Sequence, residues 1–123
     1  MLEVYGDTQV SIVGTVSELH ELGRIFHSAT EEVVVPVAAV ANSPRRITAL
    51  RLVPLVDDTD RLTVEIENAI TLVIGGNKHA FHVMGDNLVE YFEPHDESGT
   101  HFHLDCFAGD LNETDYGLVF VVR

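Results

Sequence analysis

The amino-acid sequence predicts an α+β fold, a two-layer domain in which an antiparallel sheet packs against two helices. Short runs rich in β-branched residues recur along the whole chain, and two longer stretches have apolar residues at helical spacing. The order of these elements in the first half returns in the second half. A duplicated β-β-α-β-β unit would supply up to eight strands and two helices, enough to enclose an apolar layer between sheet and helices.

The first half opens with a hairpin and a helix. The run Gly6-Asp7-Thr8 separates two β-rich segments and has the composition of a hairpin turn. Thr15 and Glu18 have the spacing of a capping box, and apolar residues follow them at helical spacing. These features predict a helix from Val16 to Ser28.

Composition and turn residues place the remaining strands. Residues 32–38 are rich in valine, but Pro36 cannot donate to a β-ladder, so this strand should be bulged or lie at a sheet edge. Period-two alternation and flanking turn residues indicate the others. The predicted strands cover residues 2–5, 9–13, 32–38, 47–55, 62–67, 70–74, 101–106 and 116–123.

The second half repeats the plan of the first. Asn68-Ala69 joins two of its strands as a hairpin turn, and Asn77 is a favourable N-cap. Apolar spacing predicts a helix over 78–92, although Gly85 inside it weakens the helical pattern. Pro94 ends this helix, because the residue before a proline is disfavoured in helical conformation.

A shift of 62 residues aligns the two halves. The aligned pairs include Gly14 with Gly76, His20 with His82, and Gly23 with Gly85. After the helix the shift must grow by several residues, because the second half has a longer loop. We therefore predict one domain over residues 1–123, built from repeats at 1–56 and 62–123; chance matching of common apolar residues is the alternative.

Charge limits the classes of partner. The chain has 20 Asp and Glu against 7 Lys and Arg, a formal net charge of −13, and no Lys or Arg lies between His79 and Val122. Nucleic acids and anionic membranes are not expected as partners, since both require a basic surface. A basic protein partner suits this charge; the alternative is that the acids serve solubility alone.

The sequence also indicates a compartment. The beginning of the chain has neither a basic nor an apolar signal region, and no apolar run reaches the length of a membrane span. The single cysteine, Cys106, cannot form an intramolecular disulfide. We therefore expect a cytoplasmic protein, most simply a bacterial one.

The run T-H-F-H-L-D-C-F-A-G-D, at residues 100–110, carries an unusual set of polar side chains. His101, His103 and Asp105 share one face of a predicted strand, and apolar side chains share the other. Two histidines and a carboxylate can bind zinc or another divalent metal, although the spacing fixes no further ligand. The alternative is an outer sheet face whose imidazoles bond neighbouring backbone groups.

Acidic residues lie on both sides of this strand in the sequence. Asp86, Glu90 and Glu93 are spaced so that the predicted helix would place them on one face. The loops before and after the strand carry five more acids: Asp96, Glu97, Asp110, Glu113 and Asp115. We predict that these acids, together with the two histidines and the aspartate of the strand, form a docking surface for a basic protein. A merely solvated face is the alternative.

Nothing in the sequence marks a catalytic centre. Cys106 alternates onto the apolar face of its strand, where a thiol behaves as a small hydrophobe. No serine has the surroundings of a nucleophile, and Gly75-Gly76-Asn77 lacks the remaining residues of a phosphate-binding loop. We therefore expect a protein that is not an enzyme and that has no cofactor.

The second half resembles a known family. The run L-T-V-E-I-E-N-A-I-T-L-V-I-G-G, the helix ending D-N-L-V-E-Y-F, the strand H-F-H-L-D-C-F-A-G-D and the closing L-V-F-V-V are similar to the bacterial immunity protein 32 family, over about residues 62–122. The resemblance carries over His101, His103, Asp105 and Gly109. It implies an immunity protein of a polymorphic toxin system, which binds and neutralises a cognate toxin domain, commonly a nuclease.

The main hypothesis is thus an immunity protein that neutralises a basic toxin domain through an acidic surface. Two alternatives stay open at this point. One is a metal-binding domain built on the His-x-His-x-Asp strand, and the other is a self-associating structural domain. Open sheet edges also leave a homodimer as an alternative.

Overall fold

A computed structural model describes residues 1–104, 111, 112, 114 and 116–123. Within those residues the chain forms two helices and nine strands. The helices are α1 (Val16–Ser28) and α2 (Lys78–Tyr91). The strands are β1 (Glu3–Gly6), β2 (Gln9–Gly14), β3 (Val33–Pro36), β4 (Ala38–Ala39), β5 (Ala49–Pro54), β6 (Thr63–Glu67), β7 (Thr71–Gly76), β8 (His101–Leu104) and β9 (Gly117–Val122). None of the helices in the described part of the chain is long and apolar enough to cross a membrane.

The strands form two mixed sheets. The first sheet has the order β4-β1-β2-β9-β8, and the second has the order β3-β5-β7-β6. The predicted α+β two-layer class is confirmed. The prediction of an antiparallel sheet is wrong in one respect, because β2 and β9 pair in parallel and so do β5 and β7. Each parallel pair joins strands that are not consecutive in the chain, and local patterns cannot indicate such pairings.

Each sheet combines strands from both halves of the chain. The hairpin β1-β2 pairs with β9 and β8, and the hairpin β6-β7 pairs with β5 and β3 in the same relative order. The registers are equivalent as well: Gly14 lies opposite Val122 in the first sheet, and Gly76 lies opposite Pro54 in the second. The two halves therefore have the same arrangement of elements, and they exchange their last strands.

Helix α1 begins and ends where its sequence predicts. The Thr15 hydroxyl accepts a hydrogen bond from the Glu18 backbone N–H at 3.1 Å, and the Glu18 carboxylate accepts one from the Thr15 N–H at 2.9 Å. This capping box satisfies two donors that the first turn leaves free. In α2 the Asn77 side chain accepts the Ala80 N–H at 2.8 Å, as expected for an N-cap.

Helix α2 ends one residue earlier than its apolar pattern predicts. Phe92 is extended, with φ −88° and ψ 130°, and its side chain is buried. Pro94 disfavours helical conformation at Glu93. The prediction that Glu93 lies on the same helix face as Asp86 and Glu90 is therefore wrong, because Glu93 lies in the turn that follows α2.

Pro36 separates the two sheets. The prediction of a strand over 32–38 is wrong in its extent, because β3 ends at Pro36 and β4 belongs to the other sheet. The predicted edge position is confirmed, since β3 is the outermost strand of the second sheet. The Val37 N–H donates to the Thr48 carbonyl at 3.1 Å, so the N–H that Pro36 lacks would have pointed away from the sheet.

The two helices pack directly against each other within the core. The rings of Phe26 and Phe81 meet edge to face, with centroids 5.2 Å apart and an interplanar angle of 87°. Both side chains are fully buried. Gly23 and Gly85 face each other nearby, so the helix backbones approach closely at their crossing.

Candidate protein-binding surface

Helix α2 and the turn after it present a set of acidic side chains, which we call the acidic surface. Asp86 and Glu90 are exposed on α2, and Glu93 and Glu97 are exposed after it. Asp96 is half-buried, and its Oδ2 accepts the Glu93 backbone N–H at 2.9 Å, which holds the turn in place. Five of the predicted site residues thus lie on α2 and on the turn that follows it.

Arginine side chains pair with acids elsewhere on the molecule. The described ion pairs of arginine are those of Arg24 with Glu21, Arg45 with Asp7, Arg51 with Glu32 and Glu67, and Arg123 with Glu3 and Glu18. Within the acidic surface, the described contact between an acid and a basic side chain is that of Asp86 Oδ1 with His27 Nε2, at 3.4 Å. Among the described residues, no lysine or arginine pairs with an acid of this surface.

The predicted histidines lie apart from these acids. The ring of Tyr91, at the end of α2, packs on Phe102 of β8 with centroids 5.2 Å apart. Because neighbouring side chains on a strand point to opposite faces, His101 and His103 point away from α2, and both are exposed. The alternation predicted for these residues is confirmed, but the structure does not unite the two histidines with the acids of α2 in one continuous patch.

Four predicted site residues lie outside the described residues: Asp105, Asp110, Glu113 and Asp115. The hypothesis of a metal site built on His101, His103 and Asp105 consequently stays a prediction. Among the residues that the structure does describe, no group of three or more His, Cys, Asp or Glu side chains could hold a metal ion. The ring of His101 lies beside its own loop, with Nδ1 3.2 Å from the Gly99 carbonyl oxygen.

An open groove of about 410 Å³ runs between α1 and α2, beside the acidic surface. Gly23 and Gly85 are among the residues that line it, and Asp86 and Glu90 line its α2 side. The His27 ring lines the groove and stacks on the ring of His82, with centroids 4.4 Å apart and an interplanar angle of 7°. Sequence reasoning did not assign a role to this groove. The signal for it was the pair of glycines inside two helical patterns, which often marks a close approach.

Comparison with protein-family models, with curated proteins and with solved structures finds no match to this chain. The structure itself establishes the α+β class and the two mixed sheets. The resemblance of the second half to the immunity protein 32 family is not tested by these comparisons, and it stays a prediction.

Proposed function

We propose that this chain is a non-enzymatic binding protein that neutralises a basic toxin domain by covering it with the acidic surface. The observation that carries the proposal is the distribution of ion pairs among the described residues. Arginines pair with acids on α1 and on both sheets, while Glu90, Glu93 and Glu97 have no described cationic partner; outside this surface the same holds for Glu31, Glu65 and the acids of residues 57–60. A concentrated, uncompensated charge of this kind attracts a surface of opposite sign.

The chemistry of the expected partner agrees with this charge. A nuclease binds an anionic substrate, so its substrate-binding region is basic. An acidic protein that covers this region excludes the substrate without any catalytic step. Such charges raise the rate of association and exclude wrong partners more than they contribute to affinity.

Apolar side chains among the acids supply area for affinity. Val89 and Tyr91 are exposed on α2 by 37% and 48% of their surfaces. Apolar and aromatic side chains at the centre of an interface, ringed by charge, are typical of protein-binding surfaces. Helix α2 therefore offers both components of an interface on one element.

The first test is co-purification with the product of the gene directly upstream in the source genome. We expect a stable complex with a toxin domain, and loss of the toxin's activity in that complex. The Glu90→Lys/Glu93→Lys variant should then bind at least 100-fold more weakly, measured by calorimetry, because two favourable charges become repulsive. The matched control is Glu65→Lys on β6, an exposed acid away from α2, which should bind almost as the parent protein does.

Stability measurements separate binding from folding. Glu90 and Glu93 are exposed, so the double reversal should change the free energy of unfolding by less than about 0.5 kcal/mol. Equal weakening by the Glu65 control would place the binding surface elsewhere. The absence of any complex with the neighbouring gene product would contradict the toxin-neutralising function.

A further inference from the structure

We infer that the groove between α1 and α2 is the anchor site of the acidic surface and that it takes one arginine side chain of a basic protein partner. This inference rests on the proposed function, since it names the chemical group that the partner inserts. The inference is based on three features of the groove: backbone atoms at its base, negative charge on one of its walls, and a flat aromatic ring among its lining residues.

The floor of the groove is backbone because two glycines meet there. A Cβ atom on Gly23 would lie 2.8 Å from the Gly85 carbonyl oxygen, and one on Gly85 would lie 2.5 Å from the Gly23 carbonyl oxygen. No side chain can fill this crossing, so the space above it stays open. Its volume of about 410 Å³ is in the range of sites that enclose a ligand group rather than a single water.

The walls of the groove are equivalent positions of the two halves that carry different charges. Each lining residue on α1 has its counterpart on α2, 62 residues later: Gly23 and Gly85, Arg24 and Asp86, His27 and Val89, Ser28 and Glu90. On the α1 wall, the positive charge of Arg24 is offset by its ion pair with Glu21, at 3.2 Å. The α2 wall keeps Glu90 without a described partner. The attraction of the groove for a cation therefore comes from its α2 wall.

Arginine fits this groove better than lysine. Its planar guanidinium can donate to Glu90 and to Oδ2 of Asp86, whose Oδ1 faces His27, whereas an ammonium is a point charge. The His27 ring lines the groove, with one face stacked on His82, and offers a flat surface against which a planar group can lie. Val89 and the glycine floor offer apolar contact for the methylene stem. A second copy of this chain is a poor occupant, because two molecules of net charge −13 repel each other.

The test uses the full chain and a defined probe. Nα-acetyl-arginine methylamide is titrated into the 15N-labelled protein, and the amide shifts of Gly23, Gly85 and Val89 are followed by NMR. We expect localised, saturable shifts at these three amides and none with the neutral citrulline analogue. Shifts spread over all exposed acids, or an equal response to the citrulline analogue, would overturn the inference.

Two variants of matched size fix the position of the site. Val89→Trp fills the groove and should weaken probe binding at least tenfold, whereas Val83→Trp lies on the same helix outside the groove and should leave it unchanged. Equal probe binding by both variants would overturn the inference. Circular dichroism and thermal melting establish that each variant is folded.

The groove and the proposed function can fail separately. If the toxin domain binds the Val89→Trp and Val83→Trp variants equally well, the groove is not the anchor, although the protein still binds the toxin. If the probe occupies the groove but no toxin complex forms, the arginine site stands and the toxin-neutralising function is wrong.

Discussion

Gly23 and Gly85 lie opposite each other where α1 crosses α2, and each occupies the space that a side chain on the other would need. A Cβ on Gly85 would lie 2.5 Å from the Gly23 carbonyl oxygen and 2.9 Å from the His27 backbone nitrogen. Backbone atoms cannot move aside without separating the helices. The close crossing therefore depends on the absence of two side chains, at positions that are equivalent in the two halves.

Replacement of Gly85 by alanine should destabilise the protein despite alanine's higher helix propensity. The propensity gain is about 1 kcal/mol. The forced separation of two packed helices outweighs it, so we expect a net loss of about 2 kcal/mol in the free energy of unfolding. Urea denaturation measures this loss. Val83→Ala, an exposed change on the same helix, serves as the control, and a Gly85→Ala variant as stable as the control would contradict the close crossing.

Glu18 should make stability depend on pH in the acidic range. Burial disfavours its charge, but hydrogen bonds from the N-terminal amine and from Thr15, together with the charge of Arg123, outweigh burial and lower the pKa from 4.5 to about 2. The folded state therefore favours the carboxylate. Its stabilising contribution is fully present above the ordinary pKa of 4.5 and is lost as the pH falls towards 2.

The Glu18→Gln variant tests this pH dependence. At pH 7 it should lose about 2 kcal/mol: glutamine can still accept the Thr15 N–H in the capping box, but it lacks the charge that pairs with the N-terminal amine and Arg123. At pH 2 the difference from the parent protein should become small. Denaturation at several pH values measures it, with Glu65→Gln as the exposed control. A difference that stays constant down to pH 2 would show that the charge of Glu18 is not responsible.

Position 69 should accept glycine with less backbone strain than its native alanine. Asn68 and Ala69 are the central residues of the turn between β6 and β7, with φ of 52° and 62°, and the Ile70 N–H donates to the Glu67 carbonyl at 3.1 Å. Alanine is strained at positive φ, whereas glycine is not. The Ala69→Gly variant should gain about 0.5 kcal/mol, since the larger entropy of the unfolded chain offsets part of the relief. Thermal melting measures this gain, and a lower melting temperature would contradict it.

Association with the toxin domain should depend steeply on salt. If the acidic surface steers binding, the association rate should fall at least tenfold between 50 and 500 mM sodium chloride, with little change in the dissociation rate. Stopped-flow fluorescence separates the two rates. The Glu90→Lys/Glu93→Lys variant should show a weaker dependence. A salt-independent association rate would mean that apolar contacts, and not charge, bring the partners together.

Local signals predicted the elements of the fold better than their pairing. The spacing of Thr15 and Glu18 identified the start of α1, and Pro36 identified an edge strand, because both effects act within a few residues. The pairing of β2 with β9 joins positions such as Gly14 and Val122, which are far apart in sequence. Nothing in the composition of either strand specifies a parallel partner in the other half.

The candidate site was predicted in part for the same reason. The exposed acids of α2 follow from helical spacing, and the exposure of His101 and His103 follows from alternation. Their separation depends on which face of β8 meets α2, and the contact between Tyr91 and Phe102 decides that. Gly85 was interpreted as a weakness of the helix, whereas it permits the helix crossing. This role depends on Gly23 lying opposite Gly85 in the folded chain, which the helical pattern of α2 alone does not indicate.

The exchange of strands between the two halves has a consequence for synthesis on the ribosome. The hairpin β1-β2 emerges early, but its partner β9 is about a hundred residues further along the chain. At roughly 5–20 residues per second, the nascent hairpin waits on the order of ten seconds with the edge of β2 unpaired. Unpaired strand edges recruit other chains. The period before β9 is made is thus when the edge of β2 is most open to pairing with another chain.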